Sequence, residues 1–213
     1  MKKYGVMAIF IIASLLILAS LEFIPVQGSS PIEMKKLRMV ALEEPATVPI
    51  FLASKEGKFY EKNLNLDLEL LESEEQVINA FVAGAADGAL IEMEEVALFQ
   101  EKGIYSKATS VFNAYNNISN DVEPGKMKVL AFSGESLENK REEIKIFHRV
   151  YKKVLERLAY SEYTERNFNY SLASLTLPPR EEVTRMIKEM QKVTKVRDDC
   201  LYEDLVDTGF ISN

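Results

Sequence analysis

Along residues 37–115 the apolar positions change period several times, and each change marks an element. The run 37–42, with Leu37, Met39, Val40 and Leu42, reads as a short strand. Residues 48–58 follow as a helix opened by Pro49 and closed near Gly57, since proline loses no hydrogen bond in a first helical turn and glycine suits a helix end. Leu64, Leu66, Leu68 and Leu70 then alternate at period two, which predicts a second strand. Ser73 with Gln76 three positions later has the spacing of a helix N-cap, and the helix behind it carries Val77, Ile78, Phe81 and Val82 before Gly84. Asp87 opens a short strand over 88–91, a helix over 93–102 ends at Gly103, and 108–115 is a further strand. Strands alternating with helices of this length imply parallel pairing through right-handed crossovers, so this half reads as α/β. A polar stretch, 116–125, rich in Asn, Ser, Asp, Pro and Gly, marks a hinge or junction. Beyond one strand at 127–132 the pattern turns helical. Ile144, Phe147, Val150, Tyr151, Val154, Leu155 and Leu158 keep helical spacing, as do Val183, Met186, Ile187, Met190 and Val193 after Pro178 and Pro179.

Lys2 and Lys3 precede an apolar run over 5–24, broken only by Ser14, Ser20 and Glu22 and stopped by Pro25. Its length lies between secretory h-regions, about 7 to 15 residues, and spanning helices of about 20, so 1–28 reads as a signal peptide or an N-terminal membrane anchor. Val26 and Gly28 suit a cut that would leave Ser29 first, and residues 29–36 form a linker. With no cysteine after the run until Cys200, a lipid anchor is excluded.

The remaining 37–213 can bury one core, given 47% hydrophobic residues in a chain of 213. A formal net charge of -7 argues against nucleic acid as a partner, because a phosphate-binding surface needs clustered Lys and Arg. Cys200 has no second thiol for a disulfide or a metal knuckle. His148, also single, has no companion for a metal and reads as a helix-surface or boundary residue. No G-x-S-x-G elbow, P-loop or H-E-x-x-H is present. The sequence therefore reads as a non-enzyme with no cofactor and no metal.

The order and spacing of these elements carry a resemblance. The strand from Arg38, Pro45, the helix PIFLASKEGKFYEKNL and the strand to Leu70 resemble the opening of nitrate/sulfonate/taurine-type substrate-binding proteins of ABC importers. VINAFVAGAADGALIEMEEVALFQEKGI, with Asp87 and Gly103, is similar to the continuation in that family. FNAYNN looks like the strand that leaves its first lobe, and the segment from VEPGKMK onward looks like the strand and long helix that return. LYEDLVDTGFI resembles the family's C-terminal tail, so the resemblance covers nearly all of 37–213. Near residues 120 and 121 a typical member inserts a second α/β lobe, of about 100 residues by ordinary domain size. The resemblance thus implies a single lobe of a type II periplasmic-binding-protein fold: a mostly parallel sheet flanked by helices, with a helix-rich C-terminal half.

What the resemblance implies for function is an exported protein, periplasmic or at the cell surface, that captures a small solute for an ABC transporter permease and is held to the membrane by its N-terminal segment. Ligand contacts in the family come from loops at the C-terminal ends of the strands. Carried onto this sequence, they point to Glu43 and Thr47 after the first strand, Glu92 and Glu94 after the third, and Asn116 after the strand that leaves the lobe. Acidic residues at helix starts equally serve as dipole-compensating surface charges. As a mouth, they suit a cationic or neutral solute better than nitrate or a sulfonate. The alternative is a membrane-tethered interaction or regulatory module that has lost its ligand. In that case an apolar patch where a second lobe would pack serves a partner or a homodimer, with Tyr151, Tyr160, Tyr163, Phe168 and Tyr170 as candidate contributors or core residues.

Overall fold

The central strands bury consecutive apolar residues because alternate side chains feed two different cores. In β1 (Lys35–Leu42), Leu37, Met39 and Ala41 join one core and Val40 the other. In β3 (Gly88–Glu92) and β5 (Lys128–Ser133), Leu90, Leu130 and Phe132 join the first, while Ala89, Ile91, Val129 and Ala131 join the second. Burial on both faces of a sheet produces such runs. The computed structural model describes residues 34–114, 124–160, 164–165, 168–170, 173–193 and 195–211. The signal or anchor at 1–28, linker residues 29–33, Asn116 and most of 116–125 lie outside the described residues.

With β2 (Leu64–Leu71), β4 (Ser106–Ala114) and β8 (Ala173–Thr176), the six-stranded sheet has the order β2-β1-β3-β5-β4-β8. β1 pairs parallel with β2 and with β3, as the alternation of strands and helices implies. β5 enters between β3 and β4 antiparallel to both, and β8 is antiparallel to β4. Four strands therefore run one way and two the other. The physical reason is chain length: a parallel neighbour needs a crossover of a dozen or more residues, normally a helix, and no helical pattern separates β4 from β5.

Helices cover both faces. α1 (Val48–Lys55) contributes Ile50 and Ala53 to the first core. α2 (Glu74–Val82) and α3 (Met93–Glu101) contribute Val77, Phe81, Val96 and Phe99 to the second. Beyond the short α4 (Gly134–Asn139), α5 (Arg141–Tyr160) packs Ile144, Phe147, Tyr151 and Leu155 on the first core. α6 (Arg180–Lys192) packs Val183, Met186, Ile187 and Met190 on the second, beside the short α7 (Tyr202–Leu205). The ends of these helices follow local chemistry. Ser73 Oγ accepts from the Gln76 amide at 3.2 Å, and the Gln76 side chain accepts from the Glu72 amide at 3.0 Å. Gly84 and Gly103 stand at φ +72°, a conformation that costs glycine little and other residues more.

Several details differ from the pattern-based reading. Val82 and Val193 are exposed: the first is the last residue of α2, and the second caps α6 after its last turn. The region after β5 is not purely helical, since it holds β8 and a two-residue-per-strand hairpin, β6 (Thr164–Glu165) with β7 (Phe168–Asn169). Strands this short leave too few alternations to register. Tyr151 and Tyr170 are fully buried, and Tyr160 is 91% exposed; Tyr163 and the side chain of Phe168 lie outside the described residues.

His148 corrects the surface or boundary placement: it is buried on the inner face of α5. A register shift between Ala108 and Ser110 in β4 turns both Thr109 and Ser110 hydroxyls toward its Nε2, at 3.0 and 3.1 Å. Thr109 donates to the Leu130 carbonyl at 3.0 Å. Nδ1 faces the Ile144 carbonyl at 2.9 Å and must donate, which leaves Nε2 to accept from Ser110. Burial pushes the imidazole down to about 4.

At the N-terminal end of β3, Asp87 ties three elements together. Its carboxylate accepts from the Arg38 amide at 2.8 Å, the Arg38 guanidinium at 2.9 Å and the Lys140 ammonium at 2.7 Å. Burial opposes its charge, but these bonds outweigh it and hold the carboxyl below its usual range.

Candidate functional site

Parallel strands end where the loop after each one begins, so the C-terminal ends of β1, β2 and β3 form one edge of the sheet on which loops and helix starts converge. The loop after β1 is tightly held. The Thr47 hydroxyl donates to the Leu42 carbonyl at 2.7 Å, and the Glu44 amide donates to the same oxygen at 3.0 Å. Tyr151 OH donates to the Ala46 carbonyl and Tyr170 OH to the Pro45 carbonyl, each at 2.7 Å. A helix on one face of the sheet and the turn before β8 thus clamp consecutive peptides of the loop, so its shape is set by the fold.

Against this loop lies an open cleft with an empty volume of about 470 Å³ including its mouth. Pro45, Val48, Phe51 and Leu70 make its apolar walls, and Glu43, Glu44, Thr47 and the Tyr170 ring complete it. Phe51 and Leu70 are 39% and 37% exposed, high for side chains of that size. The Phe51 ring also carries the Lys55 ammonium 4.7 Å from its centroid.

Behind the cleft sits a network of charges. Glu92 and Lys128 are directly opposite each other across the antiparallel β3–β5 ladder, and their charged atoms are 3.8 Å apart. Lys128 Nζ donates to Glu74 at 3.1 Å and lies 3.8 Å from Glu44 Oε2. Lys126 donates to Glu92 at 2.7 Å, which raises the Lys126 ammonium above its ordinary value. Three carboxylates share two ammonium groups, and Glu44 has the poorest share. Its Oε1 is buried and has no hydrogen-bond partner among the described residues. Burial pushes Glu44 up, Lys128 opposes that, and the nearby Glu74 and Glu92 add to it.

Of the residues the resemblance singled out, Glu43 and Thr47 line the cleft. Thr47 uses its hydroxyl within the loop, so it holds the wall's shape. Glu92 lies in the charge network behind the cleft, bonded to Lys126. Glu94 is paired with Lys195 at 3.1 Å, away from the cleft lining, and Asn116 lies outside the described residues. Pattern reading did not place Glu44, Phe51, Leu70 or Lys128 at a ligand site, and gave Tyr170 only as a contributor to an apolar patch or the core. Glu44 is adjacent to a chosen residue and could have been found with it. Tyr170 and Lys128 carry no local signal, because they reach this edge only through the packing of distant segments.

No family model matches the sequence, and no curated protein does. Solved structures do match in three dimensions. The ligand-binding component of an ABC-type import system from Staphylococcus aureus, solved with zinc bound, superposes with a TM-score of 0.59 at 12% identity, over 83% of this chain and 97% of that one. A Candida albicans gene product, described as defining a family with the generic periplasmic binding protein fold, gives 0.57 at 11%, over 84% and 98%. A protein of Methylobacillus flagellatus described as the periplasmic sulfonate-binding protein of an ABC transporter gives 0.56 at 9%, over 84% and 93%. At such identities the shared property is the fold. The described residues have the α/β architecture of periplasmic binding proteins.

Proposed function

We propose that this protein is an extracytoplasmic solute-binding component of an ABC importer, a relative of the nitrate/sulfonate/taurine-type binding proteins. It captures a small organic solute in the cleft beside the loop after β1 and hands it to a membrane permease. The observation that carries this reading is the position of the cleft. It opens at the C-terminal ends of parallel strands, where ligands of open α/β sheets bind, and its wall is fixed by three hydroxyl-to-carbonyl bonds. In the same reading the apolar run at 5–24 exports the chain and, if uncut, holds it at the membrane. In this reading residues 115–123, which join β4 to the turn before β5, are too few for an inserted α/β lobe, and capture falls to the lobe described above.

Thermal melts of the full chain in mild detergent test this, run against amino acids, sulfonates, pyrimidines, polyamines and aromatic carboxylates. A solute present at 100 times its dissociation constant adds about 2.7 kcal/mol, which is several degrees in a domain of this size. The shift should vanish in Phe51→Ala, which removes a cleft wall and little core. A cooperative melt that no compound moves would instead point to the ligand-free interaction module.

A further inference from the structure

The chemistry of the cleft goes further than its position and, resting on the solute-binding reading above, bears on the class of solute. We infer that the cleft takes an organic cation, an amine carried on an apolar or aromatic body, with the ammonium on the carboxylates of Glu44 and Glu43 and the body against Phe51, Val48 and Leu70.

Three observations converge. The first is the lining itself: it holds two carboxyl side chains, Glu43 and Glu44, and no Lys, Arg or His. The second is the state of Glu44. Lys128 spends its short hydrogen bond on Glu74 at 3.1 Å and stands 3.8 Å from Glu44 Oε2, beyond hydrogen-bond distance, while Glu44 Oε1 is buried without a partner among the described residues. A half-buried carboxylate whose one neighbouring ammonium bonds a different carboxylate is under-compensated, and a second cation at its exposed side would relieve it. The third is the field behind it. Glu74 and Glu92 share the lysine of Glu44 and act on it as like charges, so a nitrate, sulfonate or carboxylate entering the cleft would meet like charge in a partly desolvated setting. Phe51 and Leu70 complete the match, because beside the Lys55 ammonium on the Phe51 ring their exposed parts still offer the body of such a solute an apolar surface that water leaves readily.

The test uses three probes with one shared body: 2-phenylethylamine, 2-phenylethanol and phenylacetate. Each is titrated calorimetrically into the full chain in mild detergent, alongside the solute panel above. The amine should bind at least tenfold more tightly than the alcohol, and phenylacetate should bind more weakly than either. Glu44→Gln should erase the amine's advantage, and Glu43→Gln should reduce it about threefold. If the alcohol or the acid binds as tightly as the amine, or if Glu44→Gln melts cooperatively and keeps the preference, the cation assignment falls while solute binding stands. The same holds if the panel yields only an anionic or neutral solute whose binding is lost in Phe51→Ala. If nothing in either set binds, the assignment and the solute-binding reading fall together.

Discussion

At the residue scale, His148 and the two loop-clamping tyrosines show how single buried polar groups are held. His148 is neutral inside the fold because burial lowers its pKa from 6.5 to about 4, with no carboxylate among its hydrogen-bond partners to compensate a proton. Its folded value lies below its unfolded one, so the unfolded chain binds the extra proton between these two values. The stabilisation is complete above about pH 6.5 and is lost as the pH falls toward 4, for a total of about 3 kcal/mol. Urea midpoints of the wild type should therefore fall more steeply between pH 7 and 4.5 than those of His148→Gln, whose amide does not titrate. Tyr151 and Tyr170 each give one hydroxyl to a loop carbonyl. Tyr151→Phe and Tyr170→Phe should each cost about 1 kcal/mol in equilibrium unfolding. Because the two carbonyls belong to consecutive residues, the double variant should depart from additivity, whereas two independent anchors would add.

Elements meet at the strand ends, and there the charge network decides how closely they pack. Lys128 at the start of β5 bridges the end of β1, the end of β3 and the first turn of α2 through Glu44, Glu92 and Glu74. Lys128→Met leaves these carboxylates facing one another. Removing one partner of a partly buried ionic group is costly, so a loss of about 2 kcal/mol is expected at pH 7. The loss should shrink as the pH is lowered toward 5, since protonation of Glu44, already pushed up by burial, relieves the repulsion. A loss independent of pH would mean that Lys128 acts through its aliphatic stem alone.

For the molecule as a whole, the C-terminal tail closes the structure. The Asp207 amide donates to the Ala108 carbonyl, and Val206 bridges Ala108 in parallel, so the tail extends the pairing of β4 near its start. Phe210 then stacks on His148 with ring centroids 5.9 Å apart, and the Arg141 guanidinium covers its ring at 4.4 Å. Phe210→Ala should cost about 3 kcal/mol and let water reach the imidazole, which raises its pKa. The variant should thus show both a lower melting temperature and a flatter dependence of stability on pH in the acid range.

Much of this was legible in the order of residues, because local physics acts over a few positions. The period-two leucines of β2, the Ser73 cap, the helix ends at Gly84 and Gly103 and the long apolar stripe of α5 each follow from contacts within one or two turns, and the structure places them there. Glu43 and Thr47 could be placed beside the strand end because they directly follow β1. Tertiary structure alone decided the antiparallel entry of β5, the edge strand β8, the burial of His148 and the meeting of Glu44 with Lys128, Phe51 with Leu70, and Tyr170 with Pro45. Each of these joins residues far apart in the chain, and no local pattern encodes which distant group will arrive. The deciding interaction exists only once two cores have packed on opposite faces of one sheet and brought the strand ends to a common edge.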